Sequence, residues 1–227
     1  NLVLEMGGLV EDQIKRAIKA LDEEDMTAAR EVIARDRLIN GMQVKIDEDC
    51  ISLIALRQPV SSDLRTVMAL FNTVSELERI GDGTKKVARM TIQIYDGVSS
   101  PPSARLLRDV TPMAELAAEM LHNGLDALVR LDVEKALHII RSDDDLDQEF
   151  QSALRRLITY MMEDSRTIGH AINVIFIIKA LERIGDHCKN IAEHIVYLVE
   201  GKNIQQRRNL DMSLATFAQE KQQEQQP

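Results

Sequence analysis

Leu77-Glu78-Arg79-Ile80-Gly81-Asp82 is a six-residue stretch that occurs twice in this sequence, because residues 181–186 repeat it without a change. Its apolar residues, Leu77 and Ile80, are three apart, which is the spacing of a helix face that packs on a core. Its acidic residues, Glu78 and Asp82, are four apart, so a helix places both carboxylates on one side. We call this stretch the LERIGD motif. Its two copies predict two similar helices that carry the same pair of acids.

The repeat extends beyond this motif and covers most of the chain. Asp25 and its counterpart Asp132 each come directly before an apolar-periodic stretch, where an aspartate is a favourable helix N-cap. Apolar positions near the start match apolar positions in the second half: Met6 with Met113, Leu9 with Leu116, and Ile14 with Leu121. The sequence therefore predicts two tandem copies of one structural unit.

Apolar residues recur at steps of three and four within each unit, which is typical of amphipathic helices. In the first half this spacing predicts helices over residues 2–23, 26–35, 36–57 and 64–95, of which the second is short. In the second half we expect the last long helix over residues 167–200, ended by Gly201. The short connections favour antiparallel neighbours.

The resulting fold prediction is an all-α protein of two tandem antiparallel three-helix bundles related by a pseudo-twofold axis. We expect the first bundle over residues 1–98, a Ser/Pro-rich linker over 99–105 and the second bundle over 106–203. The remaining tail, residues 204–227, is rich in Gln and Glu, and we expect it to be partly disordered.

Composition narrows the class of protein. The chain has 227 residues, no Trp and a formal net charge of −9, so an acidic surface argues against nucleic acid as a partner. No apolar run approaches the ~20 residues that a membrane span needs. Cys50 and Cys188 have no paired spacing, which indicates reduced thiols in a reducing compartment. We therefore expect a cytoplasmic protein.

The acidic residues of the repeat are the candidate metal ligands. In both halves an apolar helix face turns acidic at the motif, and the start of each middle helix adds further oxygen ligands. If the middle and third helices bring these groups together, each half gathers oxygen ligands of the kind that hard cations such as Mg²⁺ prefer, and that Mn²⁺ or iron also accept. The candidate set is Glu78, Asp82, Glu182, Asp186, Asp143, Asp147, Asp36 and Asn40.

Other interpretations of the same residues stay open at this point. Acids four apart on a helix are commonly solvated surface, and Lys85 and Lys189 could neutralise Asp82 and Asp186 as i,i+3 pairs. Glu-x-x-His at Glu119 has the di-iron spacing but no second copy. His187 and His194 are interpreted as surface histidines. No nucleophile-and-base constellation is apparent, which argues against an enzyme and leaves no catalytic or organic-cofactor residue to name.

Taken together, the motifs closely resemble the PhoU family of phosphate-specific transport system accessory proteins. The resemblance rests on both LERIGD motifs, on residues 57–65 (RQPVSSDLR) and on residues 160–167 (YMMEDSRT), and it covers nearly all of the chain except the Gln-rich tail. It implies metal ions held by E(D)xxxD motifs, which here are the eight residues named above. Asn40 departs from the acidic pattern. The metal could be iron, zinc, manganese or magnesium.

The resemblance also implies a function and partners. It implies a cytoplasmic, non-catalytic negative regulator of the phosphate-starvation response, and a homodimer. Its partners would be the ATPase subunit of the Pst phosphate ABC transporter and the sensor histidine kinase PhoR, so the chain would reach the membrane only through them. Two alternatives remain: a metal-dependent phosphohydrolase that uses the same carboxylates, and a plain scaffold whose acids are ion-paired or solvated.

Overall fold

The computed structural model describes residues 1–96 and 102–201, and no β-strand occurs in these two ranges. The helices in chain order are α1 (Leu2–Asp22), α2 (Met26–Arg57), α3 (Ser62–Tyr95), α4 (Ala104–Leu107), α5 (Val110–Arg130), α6 (Val133–Glu163) and α7 (Ile168–Glu200), with one 3₁₀ turn (Ser165–Thr167) before α7. The first three helices form one bundle, and α5, α6 and α7 form the other. This confirms the predicted fold class of two tandem three-helix bundles.

The middle helix of the first bundle differs from the prediction. We predicted a short helix over residues 26–35 and a separate long one from Asp36, but α2 is continuous from Met26 to Arg57. Its start is as predicted, because the Asp25 side chain accepts hydrogen bonds from the Thr27 and Ala28 amides at 2.8 and 3.0 Å. The apolar phase changes near Asp36 because the face that α2 buries there carries a carboxylate, not because the helix ends.

The second bundle repeats this arrangement. Asp132 caps α6 by accepting a hydrogen bond from the Lys135 amide at 3.0 Å. The last helix, α7, ends at Glu200, and Gly201 follows it with a φ of 70°, which is the left-handed conformation of a glycine C-cap. Both features match the predictions made from the sequence.

The two bundles are joined by antiparallel packing of α3 on α7 and of α1 on α5. At one end of the first contact, Arg65 Nε donates a hydrogen bond to the Leu198 carbonyl at 3.1 Å. Near its middle, a Cβ at Gly83 would lie 3.0 Å from Ile184 Cγ1, so the absence of a side chain lets the helices approach closely. Because the two equivalent helices run antiparallel across this contact, they are related by the predicted pseudo-twofold.

A continuous hydrophobic core runs through both bundles. The apolar residues of the LERIGD motifs lie in it, since Leu77 and Ile80 are fully buried and their counterparts Leu181 and Ile184 are 1 % exposed. Both cysteines are free thiols, with Cys188 buried and Cys50 half-buried. Among the helices that the structure describes, none is long and apolar enough to cross a membrane.

Part of the predicted domain division falls outside the described residues. Residues 97–101, which include the start of the predicted linker, and residues 202–227, which include the Gln-rich tail, are not described. The end of the predicted linker forms the beginning of the one-turn helix α4. The boundaries at residues 98, 105 and 203 stay predictions.

The glycine of each LERIGD motif sets the distance between the middle and third helices. A Cβ at Gly81 would lie 3.1 Å from Ile39 Cδ1 on α2. At Gly185 it would overlap Leu146 Cδ2 on α6, and the Leu146 side chain is fully buried. Each glycine therefore lets a buried aliphatic residue of the middle helix pack directly on the backbone of the third helix.

The substitution Gly185→Ala should lower the free energy of unfolding by about 1 kcal/mol. Forcing a methyl group into a packed core costs about 1–3 kcal/mol, and the better helix propensity of alanine offsets about 1 kcal/mol of that. Gly8→Ala is the matched control, because it lies inside α1 with nothing within 4 Å of its would-be Cβ, so it should raise stability. Urea denaturation of both variants measures the difference. Equal stabilisation by both would mean that α6 does not pack closely on Gly185.

Candidate functional site at the two LERIGD motifs

In the first half, one lysine joins the acids of the middle and third helices. Lys85 donates through Nζ to Asp36 Oδ2 on α2 and to Asp82 Oδ1 on α3, both at 2.6 Å. Asp36 is 3 % exposed, whereas Asp82 is open to solvent. The predicted i,i+3 pair between Lys85 and Asp82 is therefore present, and it is extended by a buried carboxylate that the sequence did not assign to it.

The second bundle contains the same ion pair between a buried aspartate of its middle helix and a lysine of its third helix. Lys189 of α7 donates to Asp143 Oδ2 of α6 in a short ion pair. Asp143 is the counterpart of Asp36 and is 1 % exposed, so both bundles bury an aspartate that reaches a lysine on the neighbouring helix. A buried carboxylate needs such a partner because desolvation of an unpaired charge is expensive.

Further acids crowd around these ion pairs, and the pKa values of Glu78 and Asp186 reflect it. Burial, helped by the negative charges of Asp82 and Asp36, raises the pKa of Glu78. Burial and the charges of Glu182 and Asp143 likewise raise the pKa of Asp186. A carboxylate is penalised both by loss of water and by like charges nearby. Middle-helix and third-helix acids thus meet in both halves, a question that the sequence left open.

Asp147 belongs to the same crowded group in the second half. Burial and the charges of Asp143 and Asp186 raise its pKa. Its first-half counterpart, Asn40, carries no charge, and Asn40 Oδ1 is a buried oxygen that accepts no hydrogen bond within the described residues. The first half therefore gathers fewer negative charges than the second.

Several oxygen atoms of the candidate set are available to a cation. Asp36 Oδ1 and Glu182 Oε2, like the Asn40 oxygen, are buried and have no hydrogen-bond partner in the part of the chain that the structure describes. The other oxygen of Glu182, Oε1, accepts from Lys179 at 2.5 Å. Buried acceptors without donors carry a free-energy cost that a cation can remove.

The chemistry of the donor set fits a hard metal ion, but its present arrangement does not enclose one. Carboxylate and amide oxygens are the ligands that Mg²⁺ and Mn²⁺ accept. Within residues 1–96 and 102–201, however, no three Asp, Glu, His or Cys side chains are placed to hold a metal together. The ammonium groups of Lys85 and Lys189 already bind the buried carboxylates. Metal binding would require these lysines to move.

A polar cluster that the sequence did not predict lies where the two bundles meet. His187 Nδ1 lies 2.7 Å from Glu76 Oε2, and Asn190 donates to the same oxygen at 3.1 Å. Burial raises the pKa of Glu76, but the interactions with His187 and Asn190 outweigh that effect and lower it overall. The interpretation of His187 as a surface histidine is wrong, since only 13 % of its side chain is exposed. The internal repeat does not indicate this contact, because the residues that correspond to Glu76 and His187 in the other half are Ala180 and Gly83.

Comparison with known proteins identifies the family. The family model described as "PhoU domain" matches residues 3–91 and 110–195, one match in each bundle. The chain is 43% identical over 201 residues to the phosphate-specific transport system accessory protein PhoU of Escherichia coli, covering 88% of this chain and 82% of that protein. It is 44% identical to the protein of the same name from Edwardsiella tarda, covering 88% and 81%.

Solved structures support the same assignment. The crystal structure of PhoU from Pseudomonas aeruginosa superimposes with a TM-score of 0.84 at 43% identity, covering 88% of this chain and 95% of that one. The phosphate transport system regulatory protein PhoU from Streptococcus pneumoniae gives a TM-score of 0.80 at 31% identity, covering 89% and 93%. With both bundles matched in sequence and in structure, the chain belongs to the PhoU family.

Proposed function

We propose that this chain is a non-catalytic accessory protein of a phosphate-specific transport system. The observation that carries the proposal is the 43–44% identity, over more than four fifths of both chains, to proteins that bear this name. The name describes an accessory component and no chemical reaction, which favours a regulator over the alternative of a phosphohydrolase. This part of the proposal rests on the family and not on the metal chemistry of the site.

The proposal includes the direction of regulation and the partners. The chain acts as a negative regulator of the phosphate-starvation response in the cytoplasm, where it couples the ATPase subunit of the Pst transporter to the sensor kinase PhoR. It does so as a homodimer and reaches the membrane only through these partners. Two bundles with similar cores but different surfaces support this role, because one chain can then present different faces to two proteins.

The proposal also assigns a metal site to each LERIGD motif. Glu78, Asp82, Asp36 and Asn40 would contribute the oxygen ligands in the first half. The corresponding ligands in the second half are Glu182, Asp186, Asp143 and Asp147. Buried acceptors without donors and carboxyl groups of raised pKa support this assignment. On this proposal the carboxylates exchange a lysine ammonium group for a metal ion, and the freed lysine changes the surface beside the motif.

Deleting the gene for this chain should raise expression of phosphate-starvation genes in phosphate-rich medium, because the repressing signal from transporter to kinase is lost. A reporter fused to a starvation-induced promoter measures the effect, and the wild-type gene supplied in trans is the control. Unchanged reporter activity in the deletion strain would rule out the regulatory role and leave the metal proposal to be judged separately.

Metal should be present in the purified protein and depend on the motif carboxylates. We expect iron, zinc, manganese or magnesium by elemental analysis, and its loss in a Glu78→Ala/Asp82→Ala/Glu182→Ala/Asp186→Ala variant. Circular dichroism checks that the variant is still helical, and Glu5→Ala/Glu31→Ala is a control that removes two exposed acids outside the candidate ligand set. If the wild type holds no metal even after dialysis against each ion, the acids serve as ion-pair or docking residues.

The thermal stabilisation given by Mn²⁺ should be larger near neutral pH than at mildly acidic pH. Because the pKa values of Glu78, Asp147 and Asp186 are raised, protons compete with the cation for these groups at higher pH than for an ordinary carboxylate. Without metal, the same groups bind protons more tightly in the folded state, so their contribution to stability falls as pH rises.

Differential scanning fluorimetry across pH, with and without Mn²⁺, measures both effects. The Asp147→Asn/Asp186→Asn variant should lose most of the pH dependence that arises in the second half. A shift of melting temperature that is the same at all pH values would exclude these carboxyl groups as the metal ligands.

A further inference from the structure

A basic groove lies on one side of the contact between α3 and α7. Its volume is about 580 Å³, and its charged lining consists of Arg79, Lys85, Lys86 and Arg89 from α3 and Arg183 from α7, with Asp82 as the acidic lining residue and His187 at one wall. Arg79 and Arg183 are the arginines of the two LERIGD motifs, so the groove brings corresponding residues of both halves together. A cavity of this size is typical of a small-molecule site.

Four of these cations form no ion pair with the described residues, although Lys86 Nζ lies 5.3 Å from the centre of the Phe176 ring and the positive charge of Arg79 partly offsets the rise in the pKa of Glu78. Arg79, Lys86, Arg89 and Arg183 take part in no ion pair or hydrogen bond with other described residues, and all four are exposed. Lys85 is already bonded to Asp36 and Asp82, and His187 to Glu76. The single carboxylate of the lining is therefore used, and the groove keeps an excess of positive charge.

This charge is unusual for the chain as a whole. The protein has a formal net charge of −9, yet its α3–α7 groove gathers cations from two helices. Like charges held in one concave site repel each other and focus a positive potential into it. An anion that enters the groove relieves this repulsion. Its binding free energy is therefore more favourable than that of the same anion bound to one lysine exposed on a flat surface.

The internal repeat shows that the groove is not a by-product of the fold. Residues Lys86 and Arg89 of the first half correspond to Asn190 and Glu193 of the second. At the position related to the groove by the repeat, the same helix contact holds Glu76 with Asn190 and with His187, which also lines the groove. One packing geometry thus carries Lys86 and Arg89 at one end of the contact and Asn190 with the nearly buried Glu193 at the other, so these two cations are not required for helix packing.

We propose that this groove binds a small anion that carries two or more phosphoryl groups, either a free polyphosphate chain or the phosphate chain of a nucleotide. Guanidinium groups match phosphoryl oxygens with paired hydrogen bonds, and three of the four unpaired cations are arginines. Four positive charges exceed what a single orthophosphate neutralises, and the groove is larger than one phosphate needs. A chain of phosphoryl groups satisfies both the charge and the length.

Such a ligand would connect the two bundles. Arg79 and Arg89 belong to α3 of the first bundle, and Arg183 belongs to α7 of the second. An anion that contacts arginines from both helices ties the bundles together at the contact that joins them. Occupancy of the groove is therefore a means of setting the rigidity of this contact, and with it the surface offered to a partner.

Isothermal titration calorimetry with tripolyphosphate tests the proposal. The protein is dialysed against EDTA and then against plain buffer, so that no metal bridges ligand and protein. Tripolyphosphate should bind the wild type at least about tenfold more tightly than orthophosphate, since its additional phosphoryl groups accept further charge-assisted hydrogen bonds from the arginines. Binding of ATP as tight as that of tripolyphosphate indicates a nucleotide, and weaker binding of ATP indicates a free polyphosphate.

Matched variants separate the groove from general electrostatic attraction. Arg89→Gln/Arg183→Gln removes one exposed cation from each side of the groove, and tripolyphosphate affinity should fall by about tenfold or more. Arg30→Gln/Lys45→Gln removes the same charge from the exposed surface of α2 and should change affinity less than about twofold. Circular dichroism confirms that both variants keep their helices.

Three results would overturn the proposal: no tripolyphosphate binding by the wild type, equal losses in the two double variants, or equally tight binding of a short poly-glutamate peptide. The last result would assign the groove to an acidic protein segment instead. The inference does not depend on the proposed regulatory function, because binding is measured on the purified chain and the reporter assay can fail or succeed independently of it.

Discussion

The buried ion pair between the middle and third helices is the interaction on which the rest of the site depends. Asp36 pairs with Lys85 in one bundle and Asp143 with Lys189 in the other, and both aspartates are almost completely buried. Replacing both partners of such a pair by apolar residues is often neutral, whereas removing one partner leaves an uncompensated buried charge and is costly. A shift of one helix against the other would leave a buried charge unpaired, so the pair opposes a change of register on which the crowded acids beside it depend.

Each position of the LERIGD motif has a physical role that the structure explains. The leucine and isoleucine lie in the core, and the glycine lets the middle helix approach so closely that Asp36 Oδ1 and Asp143 Oδ1 would lie 3.6 Å from a Cβ placed at Gly81 or Gly185. The glutamate and aspartate surround the ion pair, and the arginine faces the groove between the bundles. The six residues of the motif, which form less than two helical turns, thus contribute to the core, the close helix contact, the acidic cluster and the joint between the halves.

Sequence periodicity predicted what depends on single helices and missed what depends on pairs of them. The internal repeat, the Asp25 and Asp132 caps, the Gly201 terminus and the buried faces are local properties, and all are present. The continuity of α2 was not predicted, because Asp36 interrupts the apolar pattern. The Asp36 carboxylate can nevertheless be buried there, because it forms an ion pair with Lys85. The contact of Glu76 with His187 and the basic groove were also missed, because the helical period does not give the axial position of α3 against α7.

The differences between the two halves are as informative as the repeat. Duplication reproduces the core and the buried ion pairs, but the residues that face the joint differ: Lys86 and Arg89 in one half correspond to Asn190 and Glu193 in the other. Because α3 and α7 are antiparallel, each end of their contact combines the N-terminal half of one helix with the C-terminal half of the other. A symmetric fold therefore produces two chemically different surfaces at its own pseudo-symmetry axis. A protein with two identical halves would offer the same surface twice, whereas this chain gathers Lys86, Arg89 and the motif arginines at one end of the joint and places the contact of Glu76 with His187 and Asn190 nearer the other.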